Sequence, residues 1–250
     1  MFTVANMMAG FMSIVYSFSS DFTYAAWFII VSIVMDMLDG RIARLTHTES
    51  NFGIELDSLS DFFSFGVAPS ILMYQLVLGD MGKIGLAISF FFIVASALRL
   101  ARFNVAAHKA EDVLPYFEGL PAPAAGGMIA SFVLSYELFM EGPELTAKTI
   151  PLLMKRMPLF FNIMPFLMVL ISIFMVSKIK YSSFKKMNFD RPHTFQIFVL
   201  LVITIILMMT FPQNTIFIIF FLYLLSGLMS FVFRLVNIRG GKLFKKREGG

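Results

Sequence analysis

Hydrophobic positions run almost unbroken along this chain, in stretches parted by short polar breaks. Eight such stretches cover residues 2–18, 22–40, 54–78, 84–104, 121–140, 159–177, 193–211 and 214–236. Several are long enough to cross about 30 Å of hydrocarbon. Only helices and closed barrels satisfy their backbone hydrogen bonds in that medium. The runs are too long and too continuous for barrel strands, so the pattern predicts an all-α fold, a polytopic transmembrane helical bundle of about eight spans. Pro121 and Pro123 mark the entry of the fifth helix, and Pro212 parts the seventh from the eighth. The segment "KIKYSSFKKMNFDRPH" is the clearest linker. It divides the chain into a six-helix core over 1–178, a cytoplasmic linker over 179–192, two additional transmembrane helices over 193–238 and a basic tail over 239–250.

Composition agrees. Of the 250 residues, 58% are hydrophobic and 14% charged, against about 25% charged in an ordinary soluble domain. Mean hydropathy is +0.81. The absence of cysteine excludes disulfides, thiol catalysis and haem attachment. The first apolar run has neither a basic leader nor a cleavage site, so no cleavable signal peptide is expected. The numerous Met and Phe residues are read as lipid-facing or packing side chains. With the N-terminus inside, the even-numbered helix ends and the tail place sixteen of the 20 Lys and Arg residues on the cytoplasmic side. Lys83, Lys148, Lys155 and Arg156 fall opposite. That bias sets the orientation and predicts an integral cell-membrane (inner-membrane) protein with a cytoplasmic N-terminus. The basic charge is thus assigned to the membrane face, with no nucleic-acid partner. The tail "KLFKKREGG" can add about 1 kcal/mol per basic residue at an anionic lipid surface.

Against this background the stretch Asp36–Asp61 stands out. Asp36 and Asp39 are spaced i,i+3, Asp57 and Asp61 i,i+4, so each pair shares one helical face. Counting 1.5 Å per residue from Asp21 puts Asp36 about 22 Å in, short of the far edge of the hydrocarbon. Counting from Asp80 puts Asp61 about 28 Å in, near the same level. Like charges so placed repel, and a partly desolvated cavity raises the penalty. Ion pairing with Arg41 and Arg44 leaves negative charge over. Oxygen-only ligands select a hard cation such as Mg²⁺ or Mn²⁺, and three scattered histidines make zinc a poor fit. Four carboxylates suffice for two ions, a pairing suited to phosphoanhydride or phosphodiester chemistry.

Asp36, Asp39, Gly40, Ala43, Arg44, Gly53, Asp57 and Asp61 match, with every gap correct, the signature D-x2-D-G-x2-A-R-x8-G-x3-D-x3-D. The chain thereby resembles the CDP-alcohol phosphotransferase (CDP-alcohol phosphatidyltransferase) family over its first six helices. The resemblance implies a six-helix catalytic core and two divalent metals, Mg²⁺ or Mn²⁺, on Asp36, Asp39, Asp57 and Asp61. Asp61 is implied as general base, and Asp39, Gly40, Ala43, Arg44 and Gly53 at the cytidine nucleotide. It also implies a homodimer.

"SALRLARFNV" (Ser96–Val105) and "FEGLPAPAAGG" (Phe117–Gly127) further resemble the membrane-integral phosphatidylserine synthases of bacteria and archaea. That subgroup implies transfer of a phosphatidyl group from CDP-diacylglycerol to L-serine, releasing CMP, on the cytoplasmic side. Arg99, Arg102 and Asn104 form an edge that suits a serine carboxylate or a lipid phosphate. Arginines at a helix C-terminus also suit the helix dipole and the charge rule. Ala122, Gly126 and Ala130 repeat the small-residue spacing of tight helix packing. Asn6 suits either a nucleotide or another helix. Two rivals remain at this level. One is a sister enzyme using glycerol 3-phosphate or an inositol phosphate, which needs more cations around its pocket. The other is an ion-coupled transporter, since intramembrane carboxylates also mark ion pathways.

Overall fold

A computed structural model describes residues 2–46, 50–109, 116–141, 159–177, 179–182 and 194–245. The helices are α1 (Phe2–Phe18), α2 (Phe22–Thr46), α3 (Asn51–Asp61), α4 (Ala68–Leu76), α5 (Lys83–Lys109), α6 (Ala122–Glu141), α7 (Leu159–Val176), α8 (Thr194–Thr210) and α9 (Pro212–Lys245). A π-helical turn, Phe62–Val67, joins α3 to α4 without a break, and a short 3₁₀ turn, Leu78–Met81, leads into α5. Counting α3 to α4 as one span, the described residues form eight helical segments, a membrane helical bundle. Phe22–Ile42, Lys83–Val105 and Pro212–Met229 are each long and apolar enough to cross a membrane, and the remaining apolar helices are shorter.

Helix α1 shows how such a bundle is specified. Its buried residues are Thr3, Asn6, Ala9, Gly10, Ser13 and Ser17, a stripe of small and polar residues at helical spacing. Val4, Met8, Phe11, Val15 and Phe18 are exposed. Lipid is as apolar as leucine, so the inward face is chosen for close approach and hydrogen bonding. The stripe packs on α2, its main neighbour, and on α3 and α4. At Gly10 the approach is closest: a Cβ there would lie 2.9 Å from the Cα of Ser64 in the π turn. On the other side of that turn, a Cβ at Gly126 of α6 would lie 3.3 Å from the Cα of Phe65. The small-residue spacing of α6 thus serves packing at Gly126.

Two differences from the sequence reading matter. The stretch 54–78 is not one regular helix, because the wider π turn follows Asp61 directly. Such turns come from one extra residue in the helical ladder and often occur at functional sites. Hydropathy does not record them. Helices α2 and α9 also outrun their apolar stretches, reaching Thr46 and Lys245. In α2 the continuation through Arg41, Ala43, Arg44 and Leu45 keeps good helix formers, so the helix does not stop where the hydrocarbon does.

Two three-residue strands, β1 (Tyr116–Glu118) and β2 (Lys180–Ser182), pair antiparallel with Phe117 opposite Tyr181. This small ribbon ties the approach to α6 to the exit of α7. Gly119 N–H donates to Ile179 O at 2.8 Å, and Leu120 N–H to Phe174 O at 3.0 Å. The linker proposed over 179–192 therefore opens as a strand. Its remainder, and residues 246–250 of the tail, lie outside the described residues. The buried core collects Ala25 and Ile29 of α2, Leu72 of α4, Phe92 of α5, Ile129 of α6 and Ile171 of α7. Helix α9 lies on α6.

Candidate active site

The site is built where α1, α2, α3 and α5 meet. Ser50 starts α3 with extended backbone (φ −121°, ψ 149°), and its hydroxyl accepts from Gly53 N–H at 3.1 Å. This N-cap fixes the first turn of α3. From that turn, Asp57 and Asp61 project at i,i+4 toward Asp36 of α2. Carboxylate oxygens of Asp36, Asp57 and Asp61 lie within 4.8 Å of one another. Asp39, one turn further along α2, accepts a hydrogen bond from the Thr3 hydroxyl of α1, and its charge acts on both Asp36 and Asp57.

Helix α1 supplies two groups that the sequence reading did not assign to the site. Thr3 holds Asp39. Asn6, fully buried, donates from Nδ2 to Asp61 Oδ1 at 3.1 Å. An ionised carboxylate only accepts, so the amide must turn its nitrogen toward Asp61. The surrounding serines hold α1 itself. Ser32 and Ser64 both donate to the Asn6 carbonyl, at 3.3 and 3.0 Å, and Ser60 donates to the Thr3 carbonyl at 3.0 Å. The available signal was the polar stripe of α1. A polar side chain in a membrane helix faces the bundle interior, and Thr3 and Asn6 lie on that stripe.

Does this cluster suit a divalent metal? Asp57 Oδ1 is buried and accepts no hydrogen bond, and neither does the buried Asn6 Oδ1. Buried oxygens without donors are costly unless something positive meets them. Among the described residues, the buried cation whose charge acts on this group is Arg99, which acts on Asp36 and Asp61. Only oxygen donors stand in the cluster. The residues present fit a hard divalent cation.

The remaining predicted residues divide by position. Gly40 is half-buried on α2, one residue past Asp39. Gly53 is half-buried on the first turn of α3, where a Cβ would meet only Ser50 Oγ at 3.1 Å. Ala43 and Arg44 continue α2, and their side chains lie outside the described residues. Arg99 on α5 is 8% exposed, its guanidinium stands 5.6 Å from the centre of the Phe103 ring, and its Nε has no acceptor. Arg102 points away from this group: it is exposed and donates to Val176 O, at the end of α7, at 2.8 Å. That contact satisfies a terminal helix carbonyl. Asn104 exchanges hydrogen bonds with Ser58, at 3.0 and 3.2 Å, tying α5 to α3 beside Asp57.

Residues 1–155 match the model of the CDP-alcohol phosphatidyltransferase family, which is most of the chain and contains every aspartate of the cluster. The chain belongs to the CDP-alcohol phosphatidyltransferase family. Among relatives of this phosphatidyltransferase is the CDP-diacylglycerol–serine O-phosphatidyltransferase of Helicobacter pylori (strain ATCC 700392 / 26695). It is 38% identical over 242 residues, covering 95% of this chain and 92% of the relative. The enzyme of the same name from Bacillus subtilis (strain 168) is 34% identical, over 54% of this chain and 75% of its own. The archaetidylserine synthase of Methanothermobacter thermautotrophicus is 36% identical, over 53% of this chain and 56% of its own. The H. pylori match runs well past residue 155, so the likeness extends to the terminal helices outside the family model. This phosphatidyltransferase is an enzyme and a membrane protein, and the transporter reading of its carboxylates falls.

Proposed function

We propose that the chain is a CDP-diacylglycerol–serine O-phosphatidyltransferase with its active site at Asp36, Asp39, Asp57 and Asp61. The observation that carries the chemistry is the convergence of Asp36, Asp57 and Asp61 within 4.8 Å, in the spacing the family uses. The acceptor rests on the near full-length likeness to a serine phosphatidyltransferase, which favours serine over the phosphorylated acceptors.

In this reading CDP-diacylglycerol enters from the bilayer, its cytidine against Gly40, Ala43, Arg44 and Gly53. Small residues let a nucleotide approach the backbone, and the planar fork of Arg44 suits phosphate oxygens. Two divalent ions, Mg²⁺ or Mn²⁺, held by the four aspartates would neutralise the pyrophosphate and the departing CMP. Asp61, oriented by Asn6, takes the proton from the serine hydroxyl. The serine oxygen forms a bond to the phosphorus bearing diacylglycerol, the pyrophosphate P–O bond breaks, and CMP leaves with the electron pair. Asp39, held by Thr3, keeps the pair on α2 in register with the pair on α3. Positioning and charge neutralisation supply most of such catalysis. Arg99 receives the serine carboxylate: it is buried, cationic and has an unpartnered N–H beside the aspartates. Arg102 and Asn104 brace the acceptor side through α7 and α3. The core over 1–178 carries this chemistry, with the site on the cytoplasmic side of the inner membrane, in a homodimer.

The deciding experiment is incorporation of radiolabelled serine into lipid by the purified protein. Product should require CDP-diacylglycerol and Mg²⁺ or Mn²⁺ and appear with one equivalent of CMP. Transfer to glycerol 3-phosphate, with none to serine, overturns the acceptor.

A further inference from the structure

We infer that Asn104 of α5, acting through Ser58 of α3, positions Asp57 for the metal, so that the helix carrying Arg99 also sets the metal site. The inference rests on the reading of the aspartates as metal ligands. Neither Ser58 nor Asn104 is a fixed position of the signature that carries them.

The aspartates are not all held in the same way. Asp39 accepts from the Thr3 hydroxyl and Asp61 from the Asn6 amide. Asp57 Oδ1 is buried, and among the described residues no donor reaches it. The direction of Asp57 is therefore set by the rotation and height of α3 itself. Helix α1 holds this span from one side, where Ser60 donates to the Thr3 carbonyl and Ser64 to the Asn6 carbonyl, both at 3.0 Å.

The hold from the other side comes from α5. Asn104 Nδ2 donates to Ser58 Oγ at 3.0 Å. The Ser58 hydroxyl has one proton to give, with Ile54 O at 3.1 Å and Asn104 Oδ1 at 3.2 Å as its acceptors. Given to Ile54 O, that proton completes a relay from the Asn104 amide into the backbone of α3, across the turn that bears Asp57. A second contact keeps the two spans in step. Gly66 in the π turn faces Ser96 of α5, where a Cβ would lie 2.8 Å from Ser96 Oγ. Eight residues separate Ser58 from Gly66, and eight separate Ser96 from Asn104. The antiparallel register is thus pinned at both ends of the site, with Asp61 between the pins on one span and Arg99 between them on the other. A divalent ion such as Mg²⁺ holds its oxygens at about 2.0–2.1 Å in strict geometry, so a small rotation of α3 is felt at the metal.

Calorimetric Mn²⁺ titration of the full-length protein in lipid nanodiscs, with no substrate present, tests this in Asn104→Ala, Ser58→Ala, their double variant, Asp57→Ala and Ser70→Ala. Ser70 supplies the control: its hydroxyl donates to Ser89 O at 2.8 Å, joining the same two spans beyond the π turn. Asn104→Ala and Ser58→Ala should each raise the Mn²⁺ dissociation constant about 3–10-fold. The double variant should be no worse than either alone, because one relay is lost in all three. Ser70→Ala should lower the melting temperature and leave Mn²⁺ binding normal. If Asn104→Ala does not fold, Ser58→Ala carries the test, since it removes a single hydroxyl from a helix. Normal Mn²⁺ binding in the Asn104 and Ser58 variants, beside a loss in Asp57→Ala, overturns the inference and leaves the metal reading standing. Normal binding in every variant overturns both. Weakening by Ser70→Ala equal to that by Asn104→Ala assigns the contact to general packing and also overturns the inference.

Discussion

Asn6 reaches Asp61 from a different helix, and that one amide decides how the carboxylate can act. It occupies Oδ1 at 3.1 Å and orients the group without neutralising it. Asp61→Asn preserves an oxygen for Asn6 and for a metal but removes the proton acceptor. A positioned base contributes about 10²–10⁴-fold, so this variant should bind CDP-diacylglycerol with Mn²⁺ normally and turn over at least about 100-fold more slowly. Calorimetry and single-turnover CMP release measure the two halves. Near-normal turnover removes Asp61 as the base, and loss of binding makes it chiefly a metal ligand. Asp39→Ala and Asp57→Ala should act differently, abolishing activity together with the rise in melting temperature expected of the parent protein on adding Mn²⁺. A ligand at 100 times its dissociation constant stabilises by about 2.7 kcal/mol, enough to read in a thermal melt. An undiminished Mn²⁺ shift in both variants would overturn the shared metal site. The pairing of aspartates on one face of α2 and one face of α3 was legible in the sequence, because i,i+3 and i,i+4 spacing needs only the geometry of one helix. Thr3 and Asn6 were not assigned, because their partners are 36 and 55 residues away and that pairing is a product of tertiary packing.

At the scale of elements, the join between α1 and the π turn after Asp61 is the tightest constraint on the site. Gly10 faces Ser64, and Ser64 in turn donates to the carbonyl of Asn6 at 3.0 Å. A side chain at position 10 would push α1 from the π turn and carry Asn6 away from Asp61. Overpacking of this kind typically costs about 1–3 kcal/mol. Gly10→Val should therefore lower the melting temperature and reduce kcat, whereas Val15→Ala, on the exposed side of the same helix, should change neither. Equal effects of the two would show that α1 does not carry its contact to the site. Apolar runs and prolines made the eight helices legible to within a few residues at most ends. The π turn was not, since an inserted residue leaves the hydropathy of the run intact. The ribbon of β1 and β2 was hidden for another reason: three-residue strands have no periodicity to read, and their pairing spans the chain from Tyr116 to Ser182.

For the whole molecule, the charge distribution predicts an orientation on which helix packing alone is silent. The bundle would pack equally well inverted, and only the distribution of charge relative to the membrane distinguishes the two arrangements. Sixteen of the 20 Lys and Arg residues fall at one face under the N-inside arrangement, which predicts that Ser50 at the start of α3 is cytoplasmic and Asp21 at the start of α2 is on the opposite side. The absence of cysteine makes the test direct, because one introduced thiol is the only thiol present. Asp21 and Ser50 are both exposed. Asp21 lies at a helix start where a neutral side chain forfeits about 0.3–1 kcal/mol of dipole interaction. Ser50 caps α3, and its loss costs about 1 kcal/mol, both small enough for the fold to survive. In intact cells an impermeant maleimide should label Asp21→Cys and spare Ser50→Cys. After permeabilisation both should react. The reverse pattern would place the aspartates at the outer face, where neither CMP release nor serine supply from the cytoplasm is possible. Labelling of both in intact cells would indicate mixed insertion, and the charge asymmetry would then not be what orients this chain.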